Sequence, residues 1–128
     1  MIDIESEVFN SVANALRTSF SGISVYGEEV ESPSSFPSVC IVEKGNSEIV
    51  TNVTLDRTPE TACQLMYLVN VYSNLKSGKK AQAKAITNVI DEKMHEMGFV
   101  RGEYNQLPNL DRTIYRVTAS YTRTYQTF

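Results

Sequence analysis

The longest apolar pattern in the chain runs from Ala62 to Tyr72. Cys63, Leu65, Tyr67, Val69 and Val71 alternate with Ala62, Gln64, Met66, Leu68, Asn70 and Tyr72. A period of two therefore gives a wholly apolar row on one side and a mixed row on the other. A strand with apolar character on both sides is expected inside its sheet rather than at an edge. Ser73-Asn74-Leu75-Lys76-Ser77-Gly78 predicts a turn, after which the period changes. Ala81, Ala85, Ile86, Val89, Ile90, Met94 and Met97 recur every three or four residues, the stripe of an amphipathic helix, and Gly98 supplies the left-handed residue that stops it.

The same reading extends to both flanks. Ile4, Val8, Val12, Ala15 and Leu16 predict a first helix within residues 2–20, with acids early and Arg17 late, as the helix dipole favours. Ser21-Gly22 breaks it before a short strand, Ile23 to Tyr26. Gly27 to Ser38, acidic at Glu28, Glu29 and Glu31 and bracketed by Pro33 and Pro37, reads as a surface loop. Val39 to Glu43 is a buried-type strand, and Lys44 to Ser47 turns or bulges it. Glu48 to Asp56 is extended but flanked by polar residues on both faces, so residues 45–61 predict a projecting β arm or hairpin. Its Ile49, Val50, Val53 and Leu55 would be an aggregation liability in a monomer and a contact in an assembly.

Downstream, Phe99 to Tyr104 is a strand, Asn105 to Asp111 a loop, and Arg112 to Tyr125 a long strand. That last strand puts Tyr115, Val117, Ala119 and Tyr121 on one face and Arg116, Thr118, Ser120, Thr122 and Thr124 on the other. The whole is a single α+β domain, 1–128: one mostly antiparallel sheet of four to five strands, both helices on one face, and the projecting arm. The uncovered face would join the threonine and arginine row to Met66, Leu68 and Tyr72, a mixture suited to a wet contact surface.

Composition narrows the function classes. The chain has 128 residues, 41% hydrophobic and 21% charged, with a net charge of −3. These values are ordinary for a globular domain and argue against nonspecific DNA binding by the whole surface. No apolar run approaches the roughly 18 residues that span a membrane, and the first residues lack a secretory signal, so a cytoplasmic protein is expected. Cys40 and Cys63 then read as small buried hydrophobes rather than a disulfide.

The strand, turn and helix around Ser73 to Lys80 invite comparison with a phosphate-binding loop. Gly78 and Lys79 fit that motif, but Ser73 replaces its first glycine and Lys80 its metal-binding hydroxyl, so nucleotide binding is not expected. Lys76, Lys79 and Lys80 at the helix start and Asp91, Glu92 and Glu96 near its end run against the dipole. This is a solvated turn or a basic tip that meets an acidic partner or phosphates. His95, the sole histidine, has no second ligand for a metal and no nucleophile placed beside it. The sequence offers no catalytic, cofactor-binding or metal-binding residues.

In the order found here, several segments resemble the small tail-terminator and head-tail joining proteins of tailed bacteriophages, also labelled minor capsid or tail completion proteins. They are Pro37-Ser38-Val39 leading to Val42-Glu43, Val69-Asn70-Val71-Tyr72-Ser73-Asn74, and Ser77-Gly78-Lys79-Lys80 with its helix. Met97-Gly98-Phe99, the Pro108-Asn109 loop and Ile114-Tyr115-Arg116-Val117-Thr118-Ala119 complete the set. The resemblance covers most of residues 36–125. It implies a non-enzymatic virion protein without cofactors, assembled in the host cytoplasm of a siphophage or myophage. Copies would form a ring, hexameric in such families, that caps the tail tube and joins it to the head connector or stopper. DNA would cross the lumen without sequence-specific binding. The arm would touch neighbouring subunits or the tube, and Lys79, Lys80, Arg112, Arg116 and Arg123 are candidates for lumen or partner contacts. Another neck component, a stopper or connector adaptor, is the alternative, ahead of a small ligand-binding domain or enzyme. The acidic loop Glu28 to Ser35 has no counterpart role in that family.

Overall fold

The structure, a computed structural model, describes residues 1–30, 32–49, 62–109 and 111–126. In chain order the elements are α1 (Glu5–Ser19), β1 (Ser24–Tyr26), β2 (Ser38–Glu48), β3 (Ala62–Ser73), α2 (Lys79–Glu96), β4 (Val100–Leu107) and β5 (Tyr115–Gln126). The strands form one sheet ordered β1-β2-β3-β5-β4. Only β1 runs parallel to its neighbour; the other pairings are antiparallel. As its two-sided apolar pattern predicts, β3 is internal, paired with β2 from Ser38↔Tyr72 to Glu48↔Cys63 and with β5 from Ser73↔Tyr115 to Ala62↔Gln126.

Both helices pack on the face that carries the uninterrupted apolar row. Val8, Val12 and Leu16 of α1 and Ala83, Ile86, Ile90 and Met94 of α2 share one core with Cys63, Leu65, Tyr67, Val69 and Val71, and with Val117, Ala119 and Tyr121 of β5. Burying each large side chain in that layer is worth roughly 1.5–3 kcal/mol, more than any local helix preference supplies. The expected α+β architecture, with two helices against one face of a mixed sheet, is the one that forms.

Each helix turns its expected large residues inward, but the small residues beside them differ from the sequence expectation. In α2, Ala81 and Ala85 face solvent, while Ala83 and Thr87 are buried beside Ile86, Ile90 and Met94. Alanine and threonine carry too little hydrophobic signal to orient a helix, so contact with the sheet decides which of them turn inward. The buried Thr87 hydroxyl is satisfied by the Ala83 carbonyl at 2.8 Å. In α1, likewise, Ala13 is buried at 0% exposure and Ala15 is only half-buried.

Three boundaries also move. Residues 45–48, placed by sequence in the arm, are strand residues of β2 paired with β3, because the irregularity between Glu43 and Gly45 is a bulge that lets the ladder continue. Ile49 donates its N–H to the Ala62 carbonyl at 3.0 Å. The remainder of the predicted arm lies outside the described residues. Asn105, Gln106 and Leu107 belong to β4 rather than to a loop, since β5 is long enough to pair with them. Conversely, β5 begins at Tyr115 and not at Arg112. Asp111 accepts hydrogen bonds from the Thr113 N–H and hydroxyl at 2.9 and 2.6 Å, which closes a turn before the strand.

The loop between β1 and β2 is not simply solvated. Pro33 is buried, and the Val30 carbonyl accepts a hydrogen bond from the Tyr72 hydroxyl at 3.2 Å. The segment thus lies across one end of the sheet face that the helices leave free.

Candidate contact surface

The face opposite the helices is built from cross-strand rows fixed by register. One row is Ser38, Tyr72, Arg116 and Leu107, the next Cys40, Asn70, Thr118 and Asn105, and a third Val42, Leu68 and Ser120. Burial along this face is graded. At the end beneath the 27–37 loop, Ser38, Cys40, Asn70 and Tyr72 are at most 1% exposed. Farther along β3, Leu68 is half-buried, and beyond it Met66 reaches 39% exposure. Val100, on the edge strand opposite Thr122, is 63% exposed. The rest of this stretch is polar and internally bonded, with the Thr124 hydroxyl 2.7 Å from Gln64 Oε1 and the Glu103 N–H donating to Ser120 Oγ at 3.0 Å.

The covered end is a polar cluster. The Arg116 guanidinium lies 5.6 Å from the centre of the Tyr72 ring and donates from Nη2 to Asn70 Oδ1 at 3.2 Å. Arg116 Nε, Ser38 Oγ and Thr118 Oγ1 are buried without a hydrogen-bond partner. The Cys40 thiol beneath the loop is pushed up from its ordinary value, chiefly by burial.

The sequence-predicted contact residues are thereby divided. Met66 and Leu68 lie on the partly open face. Tyr72 shares that face but is covered by the chain's own loop and is only 1% exposed. Ile49 is half-buried where β2 ends, and Val50, Val53 and Leu55 lie outside the described residues. Lys79 and Lys80 begin α2 behind Gly78, which sits at a φ of 86° with no side-chain cap. Lys79 Nζ reaches the Arg112 carbonyl at 3.3 Å, which brings the turn before α2 and the turn before β5 to the same end of the molecule.

Arg116 and Arg123 are seven positions apart along one strand and therefore emerge on opposite faces. Arg123 packs on the helix side, 4.7 Å from the Tyr125 ring centre and 6.0 Å from that of Phe99. They cannot line one surface together. Sequence parity carried that information. The half-covered state of the face did not show in the sequence, because the loop that covers it has no periodicity.

Other polar groups pair with one another within the fold. Asp91 accepts from Arg101 at 2.8 Å and from the Tyr121 hydroxyl at 3.0 Å, and the exposed His95 stands 3.3 Å away. Cys40 and Cys63 are not joined in a disulfide and are buried on opposite faces of adjacent strands. Among the described residues, no group of three or more histidine, cysteine, aspartate or glutamate side chains could hold a metal ion.

No protein-family profile matches the chain, and no curated protein sequence matches it. Among solved structures it is similar to one described as the structure of bacteriophage SPP1 gp17 protein. The two are 13% identical, the match covers 97% of this chain and 94% of that one, and the TM-score is 0.43.

Proposed function

We propose that the chain is a structural virion protein of a tailed bacteriophage: a tail terminator whose copies form a hexameric ring that caps the tail tube and joins it to the head connector. The role is non-enzymatic, and DNA crosses the ring without base recognition. The reading starts from the resemblance of residues 36–125 to such proteins. The observation that carries it is the graded sheet face. Met66 at 39% exposure and Val100 at 63% stand on a surface that neither helix nor the 27–37 loop reaches. Apolar groups on a flat, partly polar face are what an interface between subunits uses, with the polar residues forming its wet rim.

Sedimentation of the purified protein, alone and with tube protein, tests the reading. A ring-sized species, or one induced by the tube protein, is the expected result. A strict monomer that ignores the tube would overturn it. Electron microscopy of particles labelled at this subunit should place the label at the head-proximal end of the tail.

A further inference from the structure

The cleft between the 27–37 loop and the turn before β5 holds a charge that no described carboxylate pairs with. Its volume is about 580 Å³, and Tyr72, Arg116, Val30, Phe36, Pro108 and Ile114 are among its lining residues. That volume falls within the roughly 300–1,000 Å³ of ligand sites. Arg116 is held there by the Tyr72 ring and by Asn70, neither of them charged. Its Nε is buried without an acceptor, and among the described residues no carboxylate forms an ion pair with it. Its Nη2 donates to Asn70 Oδ1 at 3.2 Å.

Among the described residues, the two carboxylates lining the same cleft have partners elsewhere. Glu29 meets Lys44 at 3.4 Å, and Asp111 accepts the two bonds from Thr113. Hydrogen bonding to Thr113 is the main cause that holds the Asp111 carboxyl below its usual range.

A planar guanidinium that meets no counter-ion among the described residues is complementary to a planar carboxylate, which it can bind through directed N–H donors. The apolar walls suit the side chains on either side of such a carboxylate. The nearby Glu29 and Asp111 tolerate one incoming negative charge far better than the several phosphates of a nucleic-acid backbone.

We propose that this cleft is a docking site for an acidic side chain of a protein partner, carried on an extended segment with apolar neighbours and paired with Arg116. The proposal stands whether or not the chain forms a ring.

Titration of isotope-labelled protein with capped Val-Asp-Phe peptide, its Val-Asn-Phe counterpart and a DNA oligonucleotide tests it, followed by the Arg116 Nε–H signal and the amides of Val30, Phe36 and Ile114. The Asp peptide should give saturable shifts with a dissociation constant on the order of 1 mM or tighter. The Asn peptide should bind about tenfold more weakly, having lost the charge-assisted pair. Arg116→Gln should abolish the Asp preference, and Arg116→Lys, which keeps charge but loses the planar fork, should retain part of it. If Arg116→Gln fails to fold, the comparison of the two peptides on the wild-type chain still decides. Absence of saturable shifts, equal response to both peptides, or a stronger response to the oligonucleotide would overturn the proposal.

Discussion

Glu43 and Tyr67 show how a single contact is set by its surroundings. The Tyr67 hydroxyl donates to Glu43 Oε1 at 3.1 Å. Desolvation nevertheless raises the Glu43 carboxyl above its ordinary value of 4.5, with Glu5 and Asp3 adding to the rise against the opposing effect of that hydrogen bond. A carboxyl raised in the folded state leaves stability intact below its unfolded pKa and withdraws some as pH climbs through the folded pKa. Glu43→Gln keeps an acceptor for Tyr67 and removes the ionisation. It should therefore raise the melting temperature at pH 7, and the gain should vanish below pH 4.5. A gain independent of pH would mean that packing, not charge, is responsible.

Gly98 is the second case at this scale. It has a φ of 86°, and a Cβ there would lie 3.1 Å from Arg123 Nε. Gly98→Ala should cost roughly 1–2 kcal/mol for the left-handed backbone alone. Denaturant unfolding that showed no loss would refute the assignment.

At the scale of elements, α2 illustrates why periodicity locates a helix better than it orients one. Ile86, Ile90 and Met94 mark the inward side correctly, but alanines at positions 81, 83 and 85 carry nearly equal weight in a hydrophobic pattern. Only contact with β3 and β5 puts Ala83 inside, at 0% exposure. Ala83→Leu should accordingly destabilise the fold by roughly 1–3 kcal/mol through overpacking. Ala81→Leu, on the exposed side, should change stability by no more than about 0.5 kcal/mol. Chemical denaturation of the two variants distinguishes this rotation from one in which Ala81 is buried. The bulge in β2 makes the same point for strands. Lys44-Gly45-Asn46-Ser47 reads as a turn or a bulge from composition, and pairing with β3 decides for the bulge.

For the whole molecule, what matters is how much of the free sheet face the chain covers by itself. The 27–37 loop takes one end and leaves the other, so Tyr72 is part of the interior while Met66 and Val100 remain available. Met66→Asp combined with Val100→Asp should leave the isolated subunit's stability within about 0.5 kcal/mol for each change, since neither side chain is buried. The same double variant should abolish assembly in a sedimentation experiment, because two charges would be desolvated in the interface. Unchanged assembly would remove this face from the proposed ring contact. Much of the candidate surface was legible beforehand, since strict alternation in β3 and β5 assigns each residue to a face. The covering loop was not, and so Tyr72 was expected in the wrong company.

The sequence by itself determined the class of fold, the order of the elements, the central position of β3 and the glycine stop of α2. Each depends on the local period of apolar residues or on one backbone conformation, and both are written in neighbouring positions. Tertiary structure alone decided which alanine of α2 turns inward, the continuation of β2 through its bulge, the covering of Tyr72 and the setting of Arg116 between Tyr72 and Asn70. Those outcomes depend on which segments meet in space. A loop without periodicity, a small side chain or a lone arginine acquires its role only from what the rest of the chain puts beside it.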